Sequence, residues 1–299
     1  MSEFHLDFAE LSSAVSAANN DFQHVPSHWV ADGQKNTWQD TYTARQRIFP
    51  DGQTELCVSH DKFFIGPAII AKPRAARGES DKRERSDDVS ARRAKKQVRL
   101  CCKQIQADRM VTLTYRENMV DRETALKHFD RFRRKLGKHH TFHYVAVIEE
   151  QQRGALHFHI AIHGRQSYHL LRSIWYSVLG LGQRGETLGQ VHVRNPSEFG
   201  FGKNGAHKLA GYLAKYVGKT MDCRELDQKR YFRSRGIVLP EVNTWRISST
   251  SMLGAVQTAF AIAFEHGLEG VQTWCNNALG CVWLATAPRS SPLASNCPF

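Results

Sequence analysis

The stretch TFHYVAVIEEQQRGALHFHIAIHG, residues 141–164, sets the expectation for the fold. Two runs rich in β-branched and aromatic residues, 141–150 and 155–164, are separated by the polar sequence QQRG. Such runs around a short connection predict an antiparallel β-hairpin. In this hairpin Glu149, near the end of the first strand, lies roughly opposite Ala155 to His157 of the second strand.

Strand-like and helix-like patterns alternate on both sides of this hairpin. MVTLTY (110–115) and GQVHVR (189–194) are short and β-branched, which predicts strands. Helices are predicted at three places, which are 121–137 with Asp121 as N-cap and Gly137 at the end, 168–180, and 206–219. We therefore predict an α+β domain in which an antiparallel sheet is flanked by helices.

The chain divides into four predicted segments. Residues 1–71 form an N-terminal extension with a possible β-hairpin around Pro50-Asp51-Gly52. Residues 72–104 are a basic linker or arm, 105–222 are the α+β domain, and 223–299 are a C-terminal helical region, with a helix near 251–266 and a flexible tail.

Composition limits the class of protein. The chain has 299 residues and a formal net charge of +12, which favours an anionic partner such as nucleic acid. The absence of a long apolar run or a signal-peptide pattern predicts a soluble, non-secreted protein. Seven cysteines without a C-x-x-C pair fit reduced thiols better than a disulfide framework.

Two histidines on the second hairpin strand are candidate metal ligands. His157 and His159 are two residues apart, so a strand projects both imidazoles from one face. With Glu149 across the hairpin they would make a three-ligand site for a divalent metal with open positions. His163 shares their parity but lies about 13 Å beyond His159 by strand rise, too far to complete the site. The alternative is a purely structural role on a strand face.

The helix at 206–219 carries a second candidate cluster. At about 100° per residue, one arc of this helix presents two tyrosines and three lysines: Lys208, Tyr212, Lys215, Tyr216 and Lys219. A tyrosine hydroxyl can attack a phosphodiester when a metal polarises the phosphate oxygens and cations lie nearby. The alternative is that both tyrosines are ordinary amphipathic residues at the edge of the core.

Taken together, these residues resemble the HUH endonucleases, the rolling-circle replication initiators of phages, plasmids and small single-stranded DNA viruses. VTLTY (111–115) resembles their first motif, a strand of the sheet, and EEQQRGALHFH (149–159) resembles their metal motif. YLAKY (212–216) resembles the nucleophile motif and has the second tyrosine of the two-tyrosine, phage-type initiators. The resemblance covers about residues 105–220.

The resemblance implies an activity and its partners. His157, His159 and Glu149 would bind Mg²⁺ or Mn²⁺, and Tyr212 would attack single-stranded or extruded origin DNA, giving a 5′-phosphotyrosine and a free 3′-hydroxyl. Tyr216 would serve the second transfer, and Lys215 and Lys219 would orient the phosphate. A host helicase and polymerase in a bacterial cytoplasm are the implied partners, with no role for a membrane.

Two other functions use the same residues differently. The ligands of a two-histidine, one-carboxylate metal oxygenase are of the same kind, although that reading leaves the tyrosines and lysines without a role. A non-catalytic, basic nucleic-acid-binding protein needs only the charge, and its histidine pair would be incidental.

Overall fold

A computed structural model describes residues 37–65, 83–194, 205–219, 228–264, 271–276 and 280–286. The chain forms two compact units. The central unit is Arg74–Leu239, and the terminal unit combines Met1–Pro73 with Pro240–Phe299. Within the described residues, no helix is both long and apolar enough to cross a membrane.

The described secondary structure consists of ten strands and five helices. In chain order they are β1 (Thr37–Ile48), β2 (Thr54–Ile65), α1 (Arg83–Gln104), β3 (Arg109–Tyr115), α2 (Arg122–Gly137), β4 (Tyr144–Glu150), β5 (Leu156–Ile162), α3 (Tyr168–Leu179), β6 (Gly189–Arg194), α4 (Gly205–Lys219), β7 (Phe232–Arg233), β8 (Asn243–Ile247), α5 (Met252–Ala263), β9 (Val271–Asn276) and β10 (Cys281–Thr286).

The central unit contains a five-stranded antiparallel sheet in the order β6-β3-β5-β4-β7. The predicted α+β fold is confirmed. The predicted hairpin is β4–β5, and its register places Glu149 directly opposite His157. Asp121 caps α2, because its carboxylate accepts a hydrogen bond from the backbone N–H of Glu123.

The two faces of this sheet pack against different pairs of helices. Because strand side chains alternate, one face of β3–β5 meets the apolar sides of α2 and α3, where Phe158 stacks on Phe129 and Trp175 is fully buried. The other face carries Met110, Val145, Val147 and Ala161 toward α1 and α4. The site residues share this second face.

Residues 83–104 form a helix, whereas the sequence predicted a basic linker or arm over 72–104. Small apolar side chains recur at helical spacing along α1 and are buried: Ala91, Ala94, Val98, Cys101 and Cys102. They pack with α4 and the sheet, while the basic residues lie mostly on the outer side. Alanines and cysteines contribute little apolar area each, so the pattern was hidden by the charge around it.

The terminal unit has a second five-stranded antiparallel sheet, in the order β8-β1-β2-β10-β9. β1 and β2 form the hairpin anticipated around Pro50, and α5 packs on one face over Ala44, Leu56 and Val58. Residues 223–299, predicted as helical with a tail, contribute three strands as well as α5. Their partners lie some two hundred residues earlier, so the pairing cannot be read from local sequence. The predicted domain boundaries themselves stay predictions.

Close packing at Gly189 yields the first prediction. A Cβ at Gly189 would lie 2.4 Å from the carbonyl oxygen of Thr114 and 2.8 Å from Nε1 of Trp175. We expect Gly189→Ala to lower the free energy of unfolding by about 1–3 kcal/mol, because the backbone must move to relieve the overlap. Chemical denaturation measures this change.

Gly211→Ala is the matched control. Gly211 lies within α4, and a Cβ there meets nothing within 4 Å. Alanine should stabilise the helix by up to about 1 kcal/mol. Equal destabilisation by both substitutions would contradict the packing explanation.

Candidate active site

A cavity of about 270 Å³ in the central unit brings most of the predicted site residues together. Its lining comes from β3, β4, β5, β6, the β4–β5 turn and α4: Thr112, Glu149, Gln151, His157, His159, His192, Arg194, Tyr212 and Tyr216. Five of these were predicted from sequence, namely Glu149, His157, His159, Tyr212 and Tyr216. The sheet supplies the acid–base groups, and one helix supplies the hydroxyls.

Sheet register explains why the polar groups converge. His159 pairs with Thr112 on β3, and Thr112 pairs in turn with His192 on β6. These three side chains therefore form a row across the sheet on the face that also carries Glu149 and His157. Arg194, two residues after His192, extends the polar surface along the same face of β6.

His159 is held at both ring nitrogens. Its Nε2 lies 2.8 Å from Oε2 of Glu149, and its Nδ1 lies 3.2 Å from the hydroxyl oxygen of Thr112. Both members of the histidine–carboxylate pair are largely buried. A buried carboxylate is tolerated when it is hydrogen-bonded, and this contact satisfies both groups.

His157 has a different partner. The side-chain amide of Gln151 donates to Nδ1 of His157 at 3.2 Å. Burial lowers the pKa of His157, and the neighbouring His159 lowers it further, while Glu149 acts in the opposite direction. The site thus favours a neutral imidazole, the form in which histidine donates a lone pair.

The two tyrosines of α4 touch each other inside the cavity. They are four residues apart, so their side chains lie on one side of the helix. The ring of Tyr216 stacks on His159, with centroids 4.3 Å apart and 13° between the planes. Burial raises the pKa of Tyr216, and its hydrogen bond to Tyr212 and the nearby charge of Glu149 act in the same direction.

The hydroxyl oxygen of Tyr212 accepts two hydrogen bonds. One comes from the hydroxyl of Tyr216, and the other comes from Nη1 of Arg194 at 3.3 Å. The guanidinium of Arg194 also lies 5.9 Å from the centre of the Tyr212 ring. Donors directed at a phenol oxygen favour negative charge on that oxygen. Among the two tyrosines, Tyr212 has the environment of a nucleophile.

The predicted lysines stand differently from the tyrosines. Lys215 is exposed and does not line the cavity. The side chain of Lys219 lies outside the described residues. The phosphate-orienting role that the sequence suggested for both stays a prediction, and the cation found at the tyrosines is Arg194.

Sequence reasoning missed four lining residues: Thr112, Gln151, His192 and Arg194. A signal for two of them existed in the strand GQVHVR, because His192 and Arg194 repeat the alternate spacing of His157 and His159. Only the position of β6 beside β3 shows that this pair shares the same face and cavity.

The donor set fits a divalent cation in its chemistry. Two imidazoles and a carboxylate on adjacent rungs of one hairpin are suitable ligands. Among the described residues, however, no three such groups surround a common point, because Nε2 of His159 bonds directly to Glu149. Cation binding requires that one contact to open, so that both atoms turn toward the ion.

Comparison with known proteins gives one match. Residues 108–221 match the family model of the replication-associated protein ORF2 family. This span is less than half of the chain, but it runs from β3 to the end of α4 and includes every predicted site residue. No curated protein and no solved structure matches significantly. The central residues are therefore similar to a family of replication-associated proteins.

Proposed function

We propose that this chain initiates replication by nicking single-stranded origin DNA through tyrosine attack and then rejoining strands. The observation that carries the proposal is the Tyr212 hydroxyl, which accepts hydrogen bonds from Tyr216 and Arg194 in the cavity of the histidine–carboxylate pair. The match to a replication-associated family and the net charge of +12 support a DNA substrate.

The first transfer exchanges one ester for another. The Tyr212 oxygen forms a bond to the scissile phosphorus as the bond from phosphorus to the 3′ oxygen breaks. The phenol releases its proton, and the 3′ oxygen takes up a proton and leaves as a hydroxyl. Arg194 and Tyr216 stabilise the charge that develops on the attacking oxygen. The products are a 5′-phosphotyrosine and a 3′-hydroxyl that a host polymerase would extend, with strands separated by a host helicase.

Glu149, His157 and His159 would hold Mg²⁺ or Mn²⁺, which when bound polarises the oxygens of the scissile phosphate. Gln151 has a matching role as a support for His157. If its amide turns over, the carbonyl oxygen accepts from Nδ1–H and leaves the lone pair on Nε2 for binding. The Thr112 hydroxyl orients His159 from the opposite side.

Tyr216 would carry out the second transfer. Its hydroxyl touches that of Tyr212, so both oxygens reach the same region of the cavity. Attack by Tyr216 on a second phosphodiester frees a new 3′-hydroxyl. That hydroxyl attacks the phosphotyrosine on Tyr212, forms a phosphodiester and releases the Tyr212 phenol, which recloses the strand.

Covalent capture tests the nucleophile. The protein is incubated with Mn²⁺ and a randomised single-stranded oligonucleotide pool labelled at the 3′ end, and adducts are resolved on denaturing gels. We expect the label on the wild-type chain, none on Tyr212→Phe, and about tenfold slower capture by Tyr216→Phe, which loses one hydrogen bond to the nucleophile. An adduct that persists in the double variant, or that carries only a 5′ label, would sink the assignment.

A pair of variants tests which cation acts. Arg194→Gln removes a charged donor from Tyr212, and we expect about 10–100-fold slower capture. Lys215→Gln removes one positive charge from the exposed side of the same helix. The rate of this control should change by less than about threefold. A larger effect at Lys215 than at Arg194 would restore the lysine assignment made from sequence.

Glu149→Ala tests the ligand set. We expect the loss of Mn²⁺ binding by calorimetry and of nicking, because one of three donors is gone. Affinity for single-stranded DNA should change by less than about threefold, since contacts from Lys and Arg to phosphates supply most of it. Intact nicking together with lost DNA binding would contradict the assignment.

A further inference from the structure

A second concave surface lies in the central unit, away from the tyrosine cavity. This basic groove has a volume of about 1660 Å³ and is lined by α2, the α2–β4 connection, residues 228–235 and part of α1. It shares no lining residue with the cavity that holds Tyr212. The catalytic residues therefore give no account of it.

The groove concentrates positive charge. Eight Lys or Arg side chains line it, against two carboxylates. Glu123 pairs with Lys127, and Asp130 pairs with two arginines of α2. Three further cations, Arg131, Lys229 and Arg235, are exposed, and within the described residues they have no ion pair.

These three cations come from two separate parts of the chain. Arg131 belongs to α2, whereas Lys229 and Arg235 flank β7, and folding brings them to one groove. Like charges that converge without carboxylate partners repel one another. A polyanion that spans the groove removes this repulsion and releases the counterions along its own backbone.

Aromatic side chains lie among the charges. Phe142 and Tyr231 line the groove and are only partly buried. An aromatic ring beside cations suits a strand with unpaired bases, because bases stack on the ring while phosphates meet the Lys and Arg side chains. A duplex hides its base faces and gains nothing from the rings.

The groove leads toward the catalytic residues. Residues 228–230 line both the groove and a smaller pocket of about 220 Å³. That pocket also contains Glu150 and Arg122, and Glu150 follows the proposed ligand Glu149 directly in β4. Tyr144, at the other end of β4, lines the groove itself, about 17 Å away by strand rise.

We infer that the basic groove binds single-stranded DNA that flanks the scissile phosphate, an assignment that rests on the proposed nicking function. Arg131, Lys229 and Arg235 contact the phosphates, and Phe142 and Tyr231 stack on bases. The groove holds the strand while the tyrosine cavity acts on one phosphate.

A charge-matched pair of triple variants tests the groove. Arg131→Ala/Lys229→Ala/Arg235→Ala removes three groove cations, and Arg116→Ala/Arg165→Ala/Arg184→Ala removes three exposed cations elsewhere in the unit. The probe is a fluorescent oligothymidylate. We expect the groove variant to lose at least about tenfold in affinity and to lower the slope of log K against log salt by about 2, while the control loses less than about threefold. Equal losses in both variants would overturn the inference.

Phe142→Leu tests the preference for single strands. This variant keeps an apolar side chain but removes the ring, and thermal unfolding verifies its fold. We expect weaker binding of oligothymidylate, by about fivefold or more, and unchanged binding of a duplex. Equal loss on both probes would show a backbone groove without strand preference and would contradict the assignment.

The groove and the nicking activity can fail separately. Tyr212→Phe should bind oligothymidylate like the wild type, because Tyr212 lies outside the groove. Groove-dependent binding with no covalent adduct in the wild type would sink the nicking proposal alone. Covalent capture with equal affinity losses in both triple variants would sink the groove alone.

Discussion

The alternation of side chains along the central sheet is the constraint on which the rest of the site depends. One face of β3, β4 and β5 is apolar and packs on α2 and α3, which fixes the register of every strand. With that register set, Glu149, His157 and His159 must share the opposite face. A slip of one residue would bury these polar groups in the apolar core, at a cost of several kcal/mol.

Buried polar groups in the cavity are stabilised by one another. His159 connects Glu149 to Thr112 and stacks on Tyr216, and Tyr216 donates to Tyr212, which also accepts from Arg194. Most of these contacts hold a side chain at two points, so the groups are oriented before any substrate arrives. Preorganised donors of this kind stabilise a developing charge without a reorganisation cost at the moment of reaction.

Local sequence was a good guide to elements whose pattern is strong. The β4–β5 hairpin, the α2 cap at Asp121 and the span of α4 follow from alternation, capping and helical spacing. α1 was missed because its buried side chains are small and are surrounded by charge. The sheet of the terminal unit was missed for a different reason, since β10 pairs with β2 across more than two hundred residues.

The sequence by itself determined the types of the reactive groups and their spacing: two imidazoles two residues apart on a strand, a carboxylate across a turn, and two hydroxyls four residues apart on a helix. Those spacings fix which side chains share a face. Only the tertiary structure decided that α4 covers that face, that Arg194 rather than Lys215 reaches Tyr212, and that separate basic segments form one groove. Strand order and helix docking depend on long-range packing, which short-range periodicity does not encode.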